Sequence, residues 1–395
     1  MEAKSIKGKM KSGSIVILFL AIASLCNAQP PEKLLNEYRN NLNALRKLHP
    51  NVRDMPDIKF FLFGMGDRKK LIYKNGSLID AKTKQVLYQW KVSEEIIVPS
   101  AYSVYLKTAG GNVQITEDQK GVYLTENGKR KILASSKLNL PAFKGHPFAS
   151  VLRVLLHEIL INIDNGLPLP NFMVYKKPWY RDATLMAMVL KETRNLRLIK
   201  DWILNIRDPF DRNNHGISEA DNPGQVLFLI SLVSDAKHPA VSIILDSITQ
   251  FKKQNFIEGK TDYALHPVFQ TKWIKYGLKS LALPDAYKIP LVYDSYSSLF
   301  WWGFKNYHIN GSRFDNNSGK FYPYLVWAED HFLSEHNGIM TNRDYPLTWE
   351  SHASDADYTQ MDILDSNLVK EKICLTHTWH AAEMFLYLQE KKSFK

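Results

Sequence analysis

The sequence predicts a mainly α protein with a smaller antiparallel β region ahead of it, and three observations carry that expectation. Segments such as Ala183–Leu190 and Val226–Val233 are apolar on every side, and a helix of that kind must be buried on every side. Others keep one apolar stripe: Val241, Ile244, Leu245, Ile248 and Phe251 recur at helical spacing. Alternation of the two kinds is what two concentric helical layers require, whereas a plain bundle has amphipathic helices throughout. Residues 58–133, by contrast, break into short apolar runs between turn signals, with Val86, Tyr88, Trp90 and Val92 alternating at period two.

At 395 residues the chain is long enough for a large core and more than one domain. Residues 1–28 read as a secretory signal peptide: Lys4, Lys7, Lys9 and Lys11 precede the apolar run Ile15–Ile22, and Cys26-Asn27-Ala28 supplies small residues before Gln29. That run is too short for a permanent membrane span, and Leu25 before Cys26 disfavours a lipid anchor. A secreted or periplasmic protein follows, with Cys374 as its one thiol, read as a small buried hydrophobe. The formal charge is +11. Four lysines and Glu2 leave with the leader, so the mature chain keeps about +8. The basic residues are scattered, without the dense runs that track a phosphate backbone. No nucleic-acid partner and no stable membrane insertion are therefore expected. The surplus suits ordinary solubility first and an acidic polymer such as a uronate-containing glycan second.

Residues 29–56 form an N-terminal segment whose Glu32–Leu48 stretch reads as one amphipathic helix. Residues 57–140 read as an antiparallel β accessory domain of roughly six strands, with hairpin signals at Asn75-Gly76 and Asn127-Gly128. From 141 to 395 strands give way to helices at Phe148–Ile163, from Asp182 onward, at Val226–Val233 and Val241–Phe251, and at Lys260–Leu281. Further helices are expected at Ser295–Lys305, Tyr322–Phe332, Asp355–Asp365 and Thr378–Leu388.

Within that helical part, WYRDATLMAMVL, EADNPGQVLFLISLV, TWESHASDADY and HTWHAAEMFLYL together resemble secreted bacterial enzymes of the six-hairpin glycosidase superfamily. The resemblance spans Phe148 to Gln389 and implies an (α/α)6-type toroid, incomplete at this length. It also implies glycoside hydrolase activity on a carbohydrate substrate, with the site in loops at one end of the inner helices. Those loops hold Asp182, Asp221, Glu350 and His380.

The residues support a carbohydrate site independently. Trp179, Tyr180, Trp301, Trp302, Trp349 and Trp379 fall at or near helix ends, where exposed rings stack on sugar faces and buried ones simply pack. Asp182 opens its helix behind Trp179, Tyr180 and Arg181, as a base candidate or as a cap. Glu350 lies in Trp349-Glu350-Ser351-His352, where an aromatic wall raises an acid's pKa, and Asp355 is the expected cap of the next helix. Asp182 as base and Glu350 as acid make the catalytic pair, with inversion expected and roughly 6.5–9.5 Å between carboxyl groups. Glu219 and Asp221 are substrate contacts or substitutes for either role. His336, Asn337, Arg343 and Tyr345 are the set a uronate lyase would use, which is the runner-up activity, followed by glycan binding without catalysis. His377 and His380 have no third ligand tied to them by spacing, so neither metal nor cofactor is expected.

Overall fold

The computed structural model describes residues 29–48, 52–294, 296 and 340–390. The expected leader, the helices at 295–305 and 322–332, and Trp301, Trp302, His336 and Asn337 lie outside the described residues.

Helix α1 (Pro31–Leu48) buries Tyr38, Leu42 and Leu45, one stripe at i, i+4 and i+7. Two antiparallel meanders follow. The first joins Phe60–Phe63, Leu71–Lys74, Ser77–Asp80 and Val86–Gln89. The second joins Val92–Val98, Ser103–Thr108, Gly111–Glu117, Gly121–Glu126 and Lys129–Ser135. The turns Asn75-Gly76 and Asn127-Gly128 hold positive φ at both residues (47° and 73°, 48° and 80°), as two-residue hairpins twisting with their strands require. The first sheet rests on α2 (Ala149–Leu160): the His157 ring stacks 4.7 Å from Phe61, and its Nε2 meets the Leu62 carbonyl at 2.9 Å. Sheets and helices thus share one continuous core.

The protein is not the mainly α toroid that the sequence led us to expect. Beyond Pro141 the chain keeps returning to strand. Hairpins form at Ile163–Asp164 with Leu167–Pro168, Lys252–Lys253 with Phe256–Ile257, and Lys260–Thr261 with Ala264–Leu265. Glu350–Ser351 pairs with Ile373–Cys374, and Met340–Thr341 runs parallel to Val52–Arg53. The remaining helices are α3 (Tyr180–Glu192), α4 (Lys200–Leu204), α5 (Asn222–Ser231), α6 (Ala240–Thr249), α7 (Pro267–Ser280), α8 (Ser366–Lys370) and α9 (Thr378–Glu390). They pack as a row, α2 on α9, α9 on α3, α3 on α5 and α5 on α7, with α1 against α2 and α6 against α5. The expected helix at Lys260–Leu281 is a hairpin followed by α7, and Asp355–Asp365 shrinks to a 3-10 helix at Tyr358–Ile363.

The reason for the error is physical. An all-round apolar helix must be covered, and Met186, Val189, Phe228, Leu229, Met384 and Phe385 are all buried. Apolarity says nothing of what covers it, and here sheets and loops share that work with helices. One close contact fixes the row near the site. A Cβ on Gly224 would lie 2.4 Å from the Trp273 carbonyl oxygen, and one on Gly277 would lie 2.4 Å from that of Gly224. Only glycine lets α5 and α7 approach so closely, and this sets the start of α5 beside the hairpin that precedes α7. No helix among the described residues is long and apolar enough to cross a membrane.

Candidate active site

The site begins at the first turn of α3. Trp179 enters in extended conformation, and the Tyr180 N–H donates to Asp211 Oδ2 at 2.7 Å. The cap therefore comes from a distant aspartate, and Asp182 is left for other work. Its Oδ1 lies 3.5 Å from His377 Nε2 and 3.5 Å from Thr378 Oγ1. The same His377 nitrogen lies 2.8 Å from Glu350 Oε2, which also accepts from the Tyr175 hydroxyl. Asp182 and Glu350 therefore converge, as the sequence led us to expect, on an imidazole that it did not place between them.

Three devices hold this arrangement. Pairing of Glu350–Ser351 with Ile373–Cys374 brings the two segments into register. The buried Glu158 of α2 accepts from the Leu347 N–H at 2.6 Å and from the Thr348 N–H and hydroxyl. Thr348 Oγ1 in turn accepts the His377 N–H at 3.0 Å. Asn162 and Asn171 hold the Thr376 hydroxyl and carbonyl at 2.8 Å and 2.7 Å.

Burial pushes the Asp182 carboxyl up to about 7; His377 pulls it down in part and Glu350 adds to the rise. Burial works against charge on His377, but Glu350 and Asp182 outweigh it and raise that pKa. Asp182 thus keeps a proton to near neutrality, so it suits the acid role first expected of Glu350. Glu350 Oε1 has no hydrogen-bond partner among the described residues, and the side chain keeps 12% of its surface open. The facing carboxylate oxygens can be no further apart than 2.8 Å and 3.5 Å laid end to end.

Arg181, one residue earlier, heads a second cluster. Its guanidinium lies 2.7 Å from Asp262 Oδ1, 3.2 Å from Glu219 Oε2 and 3.5 Å from Asp221 Oδ2. Asp221 also accepts from Gln225 and Thr261, both at 2.7 Å, and Gln270 of α7 holds Thr261 in place at 2.9 Å. Burial opposes the charge on Arg181, and the three carboxylates more than restore it. Burial also lifts Glu219 to about 7, offset by Arg181 and reinforced by Asp221 and Asp262. Asp262 and Tyr263 are the two turn residues of the 260–265 hairpin, with φ of 46° and 69°. Asp355 does not cap the helix after it, a task done by Asp357. It accepts the His215 N–H at 2.9 Å, while Tyr263 meets Ser354 at 3.2 Å. The strand carrying Glu350 thereby leads straight to the rim of the Arg181 cluster, and Arg181 spans both sites by lying over the Trp379 ring at 5.7 Å.

The other expected contacts divide. Trp179 is half-buried, 6.1 Å edge-on from Tyr175. His352 is exposed beside Glu350, and His380 is buried with its ring 4.5 Å from His377. Tyr180 turns away, its hydroxyl donating to the Asp208 carbonyl at 2.9 Å. Trp349 and Trp379 are buried, so neither offers an open face to a sugar. Arg343 pairs with Asp57 at 2.9 Å and holds the Met55 carbonyl, and Tyr345 packs against Phe60 and Phe61; both are structural there. Sequence reasoning missed Tyr175, Asp211, Asn214, Asp262 and the role of His377; only the run Thr376-His377-Thr378-Trp379-His380 leading into α9 carried a signal for the last.

Compared with known family models, curated proteins and solved structures, the chain matches none. No family is assigned. The reading of function therefore stands on the site itself.

Proposed function

We propose that the protein is a glycoside hydrolase in which Asp182 and Glu350 are the catalytic pair. The observation that carries this is their meeting on His377, with one carboxyl held protonated to about 7 and the other presenting an open oxygen. Asp182 would protonate the glycosidic oxygen while Glu350 Oε1 attacks the anomeric carbon. Water then releases the sugar from Glu350, with Asp182 taking the proton back. This retaining course takes the place of the inverting one first expected because Glu350 Oε1 stands free to attack. His377 and Tyr175 act as positioning residues, both bonding Oε2 and so leaving Oε1 to react. The half-buried Trp179, beside Tyr175, would supply an apolar face for a sugar ring.

The site does not favour a uronate. Glu219, Asp221 and Asp262 around Arg181, and Asp182 and Glu350 around His377, would repel a carboxylated substrate. Of the lyase set, Arg343 and Tyr345 serve the contact with residues 55–61, and His336 and Asn337 lie outside the described residues.

The test is a panel of neutral, amino and acidic oligosaccharides incubated with the purified protein, with products read by mass and by reducing ends. Hydrolysis lost in Asp182→Asn and Glu350→Gln supports the pair, and NMR of the first-formed anomer tests retention. An ultraviolet-absorbing unsaturated product would make it a lyase, and binding without turnover would make it a glycan-binding protein.

A further inference from the structure

The hairpins at 75–76 and 127–128 meet the positive φ of their turns with Asn-Gly, which adopts it at little cost. The hairpin at 260–265 demands the same of Asp262 and Tyr263, with φ of 46° and 69°. Aspartate tolerates that conformation, and Asp262 is held in it by Arg181 and by its own N–H on Glu219 Oε1 at 2.7 Å. For a bulky ring the conformation is an outlier. Strain of this kind persists where the surroundings enforce it, and it clusters at active and ligand-binding sites. Burial does not offset it here, because Tyr263 is 49% exposed.

Two further loops hold the ring. The Tyr263 hydroxyl meets Ser354 Oγ at 3.2 Å, and the His215 ring lies 5.9 Å away, tilted by 38°. Asp355 ties these loops together: one oxygen accepts the His215 N–H at 2.9 Å, and the other lies 3.4 Å from His215 Nδ1. His215 and Asp355 also hold positive φ, 50° and 48°. Left-handed residues on three loops thus converge on one exposed ring. The catalytic pair is near. Ser354 follows Glu350 by four residues, which an extended chain spans in at most ~14 Å, and Asp262 touches the Arg181 beside Asp182. An open aromatic face bordered by a hydroxyl, an imidazole and a carboxylate matches a sugar ring, whose C–H face is apolar and whose edge carries hydroxyls.

We propose that Tyr263, braced by His215 and Ser354, is the stacking platform of an outer sugar subsite. It favours oligosaccharides long enough to reach from Glu350 to this rim over shorter ones, a preference that rests on the hydrolase reading for where the chain is cut.

The experiment measures binding by calorimetry to full-length Glu350→Gln protein. The probes are the disaccharide and the hexasaccharide of a β-1,4-glucan, a β-1,4-mannan, a β-1,4-xylan and an α-1,4-glucan. At least one hexasaccharide should bind about tenfold tighter than its disaccharide, as expected from covering an aromatic face with apolar sugar surface. Adding Tyr263→Asn should reduce that ratio to about twofold or less. Adding Tyr263→Phe, which keeps the ring, should leave it within about threefold of the parent. Asparagine suits a left-handed turn, so the Tyr263→Asn protein should unfold at the temperature of its parent or above. Absence of binding or of length dependence across the panel, a ratio that survives Tyr263→Asn, a loss in Tyr263→Phe as large as in Tyr263→Asn, or a lower unfolding temperature in Tyr263→Asn would each overturn the subsite. Turnover by the wild type is scored separately. Length-dependent binding through Tyr263 without hydrolysis overturns only the enzyme reading, and hydrolysis without length dependence overturns only the subsite.

Discussion

Arg181 and Asp182 are neighbours in the chain, yet they head two regions of opposite electrostatic design. Around Asp182 two carboxylates share one imidazole, so the balance of charge rests on protons that move near neutrality. Around Arg181 three carboxylates share one guanidinium whose charge is fixed. The first arrangement can exchange a proton with a substrate. The second holds one titrating group as well, Glu219 at about 7, but sets it against a cation that keeps its charge. Consecutive residues on one helical turn thus head different clusters, since their side chains point about 100° apart and meet different neighbours.

The contrast can be broken most forcefully at the catalytic pair. Asp182→Asn and Glu350→Gln should each lower kcat by about 10²–10⁴-fold, with binding largely kept, measured on the best glycan of the panel. Activity within tenfold of wild type in both would remove the proposed chemistry. Arg181→Met should act on the fold instead. It strands buried carboxylates without their cation, and urea unfolding should show a loss of about 3–5 kcal/mol. A fully stable variant would mean that the carboxylates are neutral without Arg181.

Glu158→Gln tests the support under the centre. Losing part of a three-donor acceptor should cost about 1–3 kcal/mol. Glu158 is raised by burial to about 8, against ~4.3 in an unfolded chain. A raised carboxyl contributes stability that is lost as pH climbs through its folded value. The gap between wild type and variant should therefore narrow from about pH 4 to about 8; a gap that widens over this range would show that Glu158 is folded as an anion. The smallest expected effect is a displacement of the pH profile. With Asp182 as acid, kcat/KM should fall on an alkaline limb near 7. His377 lowers the Asp182 pKa, so His377→Gln should move that limb upward. Movement to lower pH would show that the limb belongs to another group.

Much of the fold was legible where the signal is local. The Asn-Gly hairpins, the stripe of α1 and the buried segments of α3 and α5 follow from steric preference and apolar periodicity within a few residues. Asp182 and Glu350 were legible for the same reason, as charged residues at the ends of apolar or aromatic stretches. Their partners were not. His377 reaches them through the pairing of 350–351 with 373–374, and Asp262 through a hairpin that sequence periodicity had read as helix. Trp349 misled in the other direction, because an aromatic beside an acid looks the same in sequence whether it lines a cleft or fills the core.

The sequence by itself determined which segments must be covered, where the chain turns and which side chains are chemically able to act, since these depend on covalent neighbours and side-chain type. Only the tertiary structure decided that a row of short helices and two sheets, rather than a double ring, does the covering. It alone decided that Asp182 keeps its proton while Arg181 keeps its charge. Burial and Coulomb energies are set by groups that are close in space, and for both residues most of those groups lie tens to hundreds of positions away in the chain.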